Sequence, residues 1–128
     1  MSSSFELEVE TYQDPCDGEP LVLAVDDEPM NIFYFESMLR SEGIGCSTAS
    51  NGEKALELVR ERIRKYADSN GVEQVLYKLI LLDFSMPGMD GPEVSRRIHK
   101  MYAESEVVSK EQVPYICCCT AYTEDTYR

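Results

Sequence analysis

The sequence predicts an α/β protein, a three-layer αβα sandwich with a parallel sheet between two layers of helices. Three observations carry that expectation. Short apolar runs, Leu21 to Val25 and Leu79 to Leu82 among them, have the length of strands and suit strands buried on both faces. The segments between such runs carry apolar residues at helical spacing. The connections are long enough for the right-handed crossovers that parallel strands require.

Residues 1 to 20 open with serines, pass through "FELEVE" and end in "QDPCDGEP", where Pro15, Gly18 and Pro20 mark turns; they read as an acidic linker or tail. The run "LVLAV" from 21 to 25 is the first strand and ends in Asp26 and Asp27. Pro29 suits a first helical turn, and Ile32, Phe35, Met38 and Leu39 follow at helical spacing as far as Gly43. "GCSTAS" at 45 to 50 is a second, weaker strand. Asn51-Gly52 then turns the chain into a helix carrying Ala55, Leu56, Val59 and Ile63, ending near "DSNG" at 68 to 71. Val72, Val75 and Leu76 fit a further helical insertion before the third strand, "LILL" at 79 to 82, which runs into Asp83. Pro87, Gly88 and Gly91 break the chain there. Pro92 starts a helix through Val94, Ile98 and Met101, "AESEVVSKEQ" is a polar connection, and "PYICCCT" at 114 to 120 is a fourth buried strand.

The chain of 128 residues is enough for one core and short for two domains. With 12 Lys plus Arg against 24 Asp plus Glu, its net charge of −12 argues against nucleic acid as a partner. No apolar run reaches the roughly 20 residues that span a bilayer, and Met1 is followed by serines and acidic residues; the expectation is a cytoplasmic protein with no membrane partner. Of five cysteines, Cys117, Cys118 and Cys119 are consecutive in an apolar stretch, and Cys16 and Cys46 form no C-x-x-C pair. Buried reduced thiols are expected in preference to metal ligands, because alternate strand residues point to opposite faces.

The carboxylates carry the functional signal. Asp26, Asp27 and Asp83 lie at strand ends, where open α/β sheets hold their ligands. Taken singly, Asp26 or Asp27 reads as a helix cap, Asp83 as the start of a turn, and Asp90-Gly91 as an ordinary turn before a proline-led helix. Together, if their strands are neighbours, three carboxylates would repel and raise at least one pKa unless a divalent cation neutralised them. Mg²⁺, with octahedral oxygen ligands and retained waters, suits such a pocket. His99 lies in a basic stretch with Arg96, Arg97 and Lys100 and reads as part of a solvated helix face. Met86 and Met89 read as loop packing.

The motifs "VDDE" at 25 to 28, "LLDFSMPGMDG" at 81 to 91 and "TAY" at 120 to 122, each after its strand, resemble the receiver domain of two-component response regulators over about residues 21 to 128. The resemblance implies a flavodoxin-like sheet of order 2-1-3-4-5. It implies further that Asp83 accepts a phosphoryl group from a phosphohistidine of a histidine kinase or histidine phosphotransfer protein. Asp27, Asp83 and the backbone carbonyl of Ser85 would hold Mg²⁺ directly, and Asp26 largely through water. Thr120 would donate its hydroxyl to the phosphoryl group and bias the chain beyond it. The chain is then a signalling phosphoacceptor and not an enzyme turning over a separate substrate: a phosphatase of the D-x-D kind would need an acid at position 85, which is Ser85. The resemblance fails at one point. Receiver domains carry a lysine on a fifth strand, followed by a fifth helix, and the sequence reaches Arg128 before either. The favoured expectation is a piece of a longer protein, such as the end of a hybrid histidine kinase, with order 2-1-3-4 and self-association through an uncovered fourth strand; a degenerate receiver that docks partners without phosphorylation is the alternative.

Overall fold

The computed structural model describes residues 19–70 and 75–119. Four parallel strands, β1 (Val22–Val25), β2 (Cys46–Ala49), β3 (Leu79–Asp83) and β4 (Tyr115–Cys119), form one sheet in the order β2-β1-β3-β4. The helices are α1 (Pro29–Ser41), α2 (Gly52–Asp68) and α3 (Gly91–Glu104), with a short 3-10 turn at Lys110–Gln112. The chain moves one way along the sheet from β1 to β2 and the other way from β2 to β3 and β4. Right-handed crossovers therefore put α1 on one face and α2 and α3 together on the other. The predicted three-layer α/β architecture and the order 2-1-3-4 are what the structure has.

Local chemistry sets the helix ends. Pro29 opens α1, and Gly43, at φ 78°, closes it: its amide reaches the Arg40 carbonyl at 2.9 Å and the Ile44 amide reaches the Leu39 carbonyl at 2.9 Å. This is the paired closure that favours glycine just past a helix end. Asn51 caps α2 by accepting from the Lys54 amide at 2.8 Å, and Asp90 caps α3 by accepting from the Glu93 amide at 3.0 Å. Asn51→Ala should cost about 1 kcal/mol, the usual value of such a cap. Urea titration would register it as a lowered midpoint at unchanged slope, and an unshifted midpoint would show that the cap contributes nothing.

The core lies between the sheet and the α2–α3 layer. Leu23 and Val25 of β1, Ile80 and Leu82 of β3, Val59 of α2, and Val94 and Ile98 of α3 are all at most 2% exposed. Each contributes on the order of 2 kcal/mol through burial. Met86 is buried in this core and Met89 packs against it, as expected for loop packing. At the opposite end of the sheet from Asp83, the buried Arg62 of α2 donates to the carbonyls of Pro20 at 2.6 Å and Val75 at 3.1 Å. That guanidinium ties the chain entry to the segment leading into β3.

Three expectations need correction. β3 is not buried on both faces: Ile80 and Leu82 are fully covered, whereas Leu79 and Leu81 are half-exposed, because α1 packs over β1 and β2 on their side. The stripe of α1 is only half sunk, and Met38 is exposed. The thiols of β4 are not buried either. Cys117 and Cys118 are exposed and Cys119 half-buried, because β4 pairs only with β3 among the described residues; Cys46, on the opposite edge strand β2, is half-buried too. Cys16 with the predicted linker as far as residue 18, residues 72–74 of the predicted insertion, and Thr120 lie outside the described residues; of the rest of that insertion, Leu76 to Lys78 are not helical but bend into β3. No helix among the described residues is long and apolar enough to cross a membrane.

Candidate functional site

Asp26 follows β1 and Asp83 ends β3, and the pairing of these two strands brings the two acids together. The Asp26 amide donates to the Ala49 carbonyl of β2 at 3.1 Å, extending the sheet by one bond and fixing the turn. The side chain of Asp26 is buried and doubly held: one oxygen accepts from the Glu28 amide at 2.9 Å, the other from the Asn31 side-chain amide at 3.2 Å. It is therefore no simple cap of α1, whose N-cap residue is Glu28. Asp27 is exposed beside it, and one carboxylate oxygen from each of Asp26, Asp27 and Asp83 falls within 4.8 Å of the others.

Such crowding has an electrostatic consequence. Desolvation, followed by the Asp26 and then the Asp27 charge, pushes the Asp83 carboxyl up to about 6; a hydrogen bond from the Ser85 amide opposes the rise. The repulsion expected from the sequence thus falls on Asp83. A positive charge among the three acids would relieve it. The donor set is all carboxylate oxygen, which fits a hard divalent cation of the Mg²⁺ or Ca²⁺ type, and three side chains leave coordination positions for water and backbone carbonyls.

The loop from β3 to α3 follows Asp83 directly. The Phe84 amide donates to the Cys119 carbonyl at 2.7 Å, continuing the β3–β4 pairing past Asp83. Gly88 sits at φ 85°, and the Met89 amide closes on the Pro87 carbonyl at 3.0 Å, a tight turn that residues with a side chain avoid. Ser85 is exposed, one residue beyond Phe84. Of the predicted site residues, Asp26, Asp27 and Asp83 are brought together and Ser85 adjoins them through its amide; Thr120 follows Cys119, the residue that pairs with Asp83. His99 is exposed on α3, its ring nitrogen 2.9 Å from the Ser95 carbonyl of the same helix, as expected for a solvated face. Asn31 escaped the reading of the sequence. Its signal was an amide side chain one turn into a helix that starts beside two aspartates.

A doubly wound α/β sheet with a carboxylate pocket at the carboxyl ends of its two central strands defines a class of ligand-binding protein. Residues 22–127 match the response regulator receiver domain family. The chain belongs to that family. Among curated proteins it is similar to the sensor protein GacS of Pseudomonas syringae pv. syringae, 33% identical over 85 residues that make up 66% of this chain and 8% of that protein. It is also similar to the two-component response regulator ARR22 of Arabidopsis thaliana, 32% identical over 92 residues, 72% of this chain and 57% of the relative. The chain thus spans less than two thirds of these relatives. Among solved structures it resembles the receiver domain of the histidine kinase CKI1 from Arabidopsis thaliana complexed with Mg²⁺ and BeF₃⁻, with a TM-score of 0.70 at 27% identity, covering 81% of this chain and 67% of that one. The response regulator TrrA from Thermotoga maritima, in complex with Mg²⁺-BeF, gives a TM-score of 0.54 at 34% identity, covering 84% and 72%.

Proposed function

We propose that this chain is the phosphoacceptor module of a phosphorelay, with Asp83 as the acceptor. The observation that carries the reading is the convergence of Asp26 and Asp27 on Asp83, which leaves one carboxylate electrostatically strained at a strand end. An Asp83 carboxylate oxygen attacks the phosphorus of a phosphohistidine; the O–P bond forms as the P–N bond breaks, and the electron pair leaves on the imidazole nitrogen, with a proton taken up from water so that the ring departs neutral. The products are an aspartyl phosphate and a free histidine. A histidine kinase or histidine phosphotransfer protein is the partner this chemistry requires.

Asp27, Asp83 and the Ser85 carbonyl would hold Mg²⁺, with Asp26 acting largely through water. When bound, the ion supplies charge neutralisation for the transferred group and alignment with the attacking oxygen. Asp26, fixed by Asn31 and the Glu28 amide, keeps the pocket in shape. Asp83, at the carboxyl end of β3, presents its nucleophilic oxygen. The Thr120 hydroxyl would donate to a phosphoryl oxygen and draw the following segment inward. The CKI1 receiver and TrrA complexes with Mg²⁺ and fluoroberyllate, a tetrahedral mimic of a phosphoryl group once on a carboxylate, support the same use here. Within the chain, residues 21 to 128 would form the receiver unit after a linker at 1 to 20 whose last two residues, Glu19 and Pro20, are already tied to the unit through Arg62, and β4 would offer an edge for self-association, with Tyr115 84% exposed on it.

The test is direct. Incubated with phosphoramidate and Mg²⁺, the chain should gain one phosphoryl group by intact mass, stable in acid and lost in base, and peptide mapping should place it on Asp83. A chain that stays unmodified while folded, or carries the group elsewhere, defeats the reading and leaves a docking module that works without phosphorylation.

A further inference from the structure

Gly91, the first residue of α3, sits directly on the backbone that carries Asp83. A Cβ built there would lie 2.5 Å from the Asp83 carbonyl oxygen, 3.0 Å from the Phe84 Cα and 3.2 Å from the Asp83 carbonyl carbon. All three are main-chain atoms, so none can swing aside as a side chain would. Gly91 has no positive φ, so its need for glycine comes from this contact and not from backbone conformation. The Gly91 amide donates to the Phe84 carbonyl at 2.9 Å, which closes the neck of the 84–91 loop. Beyond the neck, Val94 and Ile98 anchor α3 with no exposed surface, so the helix is the fixed partner in the contact.

We infer that Gly91 is the positioning residue of the acceptor: its bare Cα lets α3 seat against the Asp83–Phe84 peptide and thereby sets where the Asp83 carboxylate and the Ser85 backbone stand. The inference rests on the reading of Asp83 as acceptor. An added methyl would have to push the Asp83 carbonyl away by roughly 1 Å to restore ordinary contact, and a misplacement of about that size costs on the order of 100-fold in rate when a reaction depends on alignment.

Gly88 supplies the control. It lies in the same loop at φ 85°, and a Cβ there meets nothing within 4 Å. Gly88→Ala therefore strains the loop without touching the acceptor. With phosphoramidate at saturating Mg²⁺, Gly91→Ala should react on the order of 100-fold more slowly than the parent chain, and Gly88→Ala within a few-fold of it. In metal-free buffer the Phe84 and Ser85 amide resonances should move in Gly91→Ala far more than in Gly88→Ala. Equal rates in the two variants at matched melting temperature, or unmoved resonances, would overturn the inference. If Gly91→Ala does not fold in plain buffer, the comparison is made in trimethylamine N-oxide, which favours the compact state. A variant that cannot be folded even there is a folding lesion, and the positioning role falls. If the parent chain takes no phosphoryl group, the acceptor reading fails by itself, and the metal-free resonances alone decide for or against Gly91.

Discussion

Replacing Arg62 by methionine is expected to destabilise the protein by about 3–5 kcal/mol, a large share of the roughly 5–15 kcal/mol that holds a small domain together. The side chain of Arg62 is only 7% exposed, and its guanidinium is used on every side. It donates to the Pro20 and Val75 carbonyls, approaches the Ser47 hydroxyl at 3.3 Å, pairs with the Glu19 carboxylate at 3.3 Å and lies 4.1 Å from the centre of the Tyr77 ring. Methionine keeps much of the volume but leaves two partly buried carbonyls without their donor, at about 1–3 kcal/mol each. It also removes a ring contact worth about 0.5–2 kcal/mol. Glu19 is not stranded, because Lys65 still donates to it at 2.9 Å and holds its carboxyl below the usual carboxylate range. The loss should therefore come mainly from the carbonyls. Arg62→Lys, with one ammonium in place of a planar fork, should fall between the two. Urea unfolding under reducing conditions measures this; a loss below about 1 kcal/mol for Arg62→Met would reduce the cluster to packing.

Arg62 also marks the limit of what the sequence discloses. Position 62 follows Ala55 and Val59 along the apolar face of α2, yet a charged residue there reads locally as solvated, and its partners come from the chain entry, Ser47 of β2 and the segment before β3, all distant in sequence. The strands and the helix ends were legible because their causes are local: apolar runs, Pro29, Asn51, Asp90 and Gly43 act within a few residues. The convergence of Asp26, Asp27 and Asp83 was legible once the first and third strands were neighbours, since parallel pairing in register puts their carboxyl ends side by side. Burial was read less well. Leu79, Leu81 and Cys117 share a face whose exposure depends on which helix crosses it, and no run of apolar residues encodes that. Gly91 was visible as a turn glycine, but its contact with the Asp83 carbonyl is a property of the folded chain.

Asp83→Asn is expected to act in two opposite directions, abolishing the phosphoryl adduct while stabilising the metal-free protein. The loss of the adduct should be complete, because an amide oxygen is a poor nucleophile and asparagine cannot form the aspartyl phosphate. The gain in stability follows from the raised carboxyl. Its pKa rises from 3.8 to about 6 on folding, so the folded chain binds more protons than the unfolded chain between those values. The stability that protonation confers is fully present below about pH 4 and is lost as the pH rises through 6. Above that, the parent chain holds an ionised Asp83 beside Asp26 and Asp27, whereas the amide that replaces it in the variant carries no charge. The difference should be on the order of 1 kcal/mol in favour of Asp83→Asn at about pH 7.5 in a chelator, after allowance for solvent screening at a partly exposed group. It should shrink as the pH falls from about 6 towards 4. Saturating Mg²⁺ should stabilise the parent chain and do much less for the variant, narrowing or reversing the gap, because a ligand stabilises only the state that binds it. Thermal melts of both proteins across this pH range, with and without Mg²⁺, test the argument. A variant less stable than the parent at neutral pH without metal, or a gap that does not change with pH, would mean that Asp83 is not the strained member of the three.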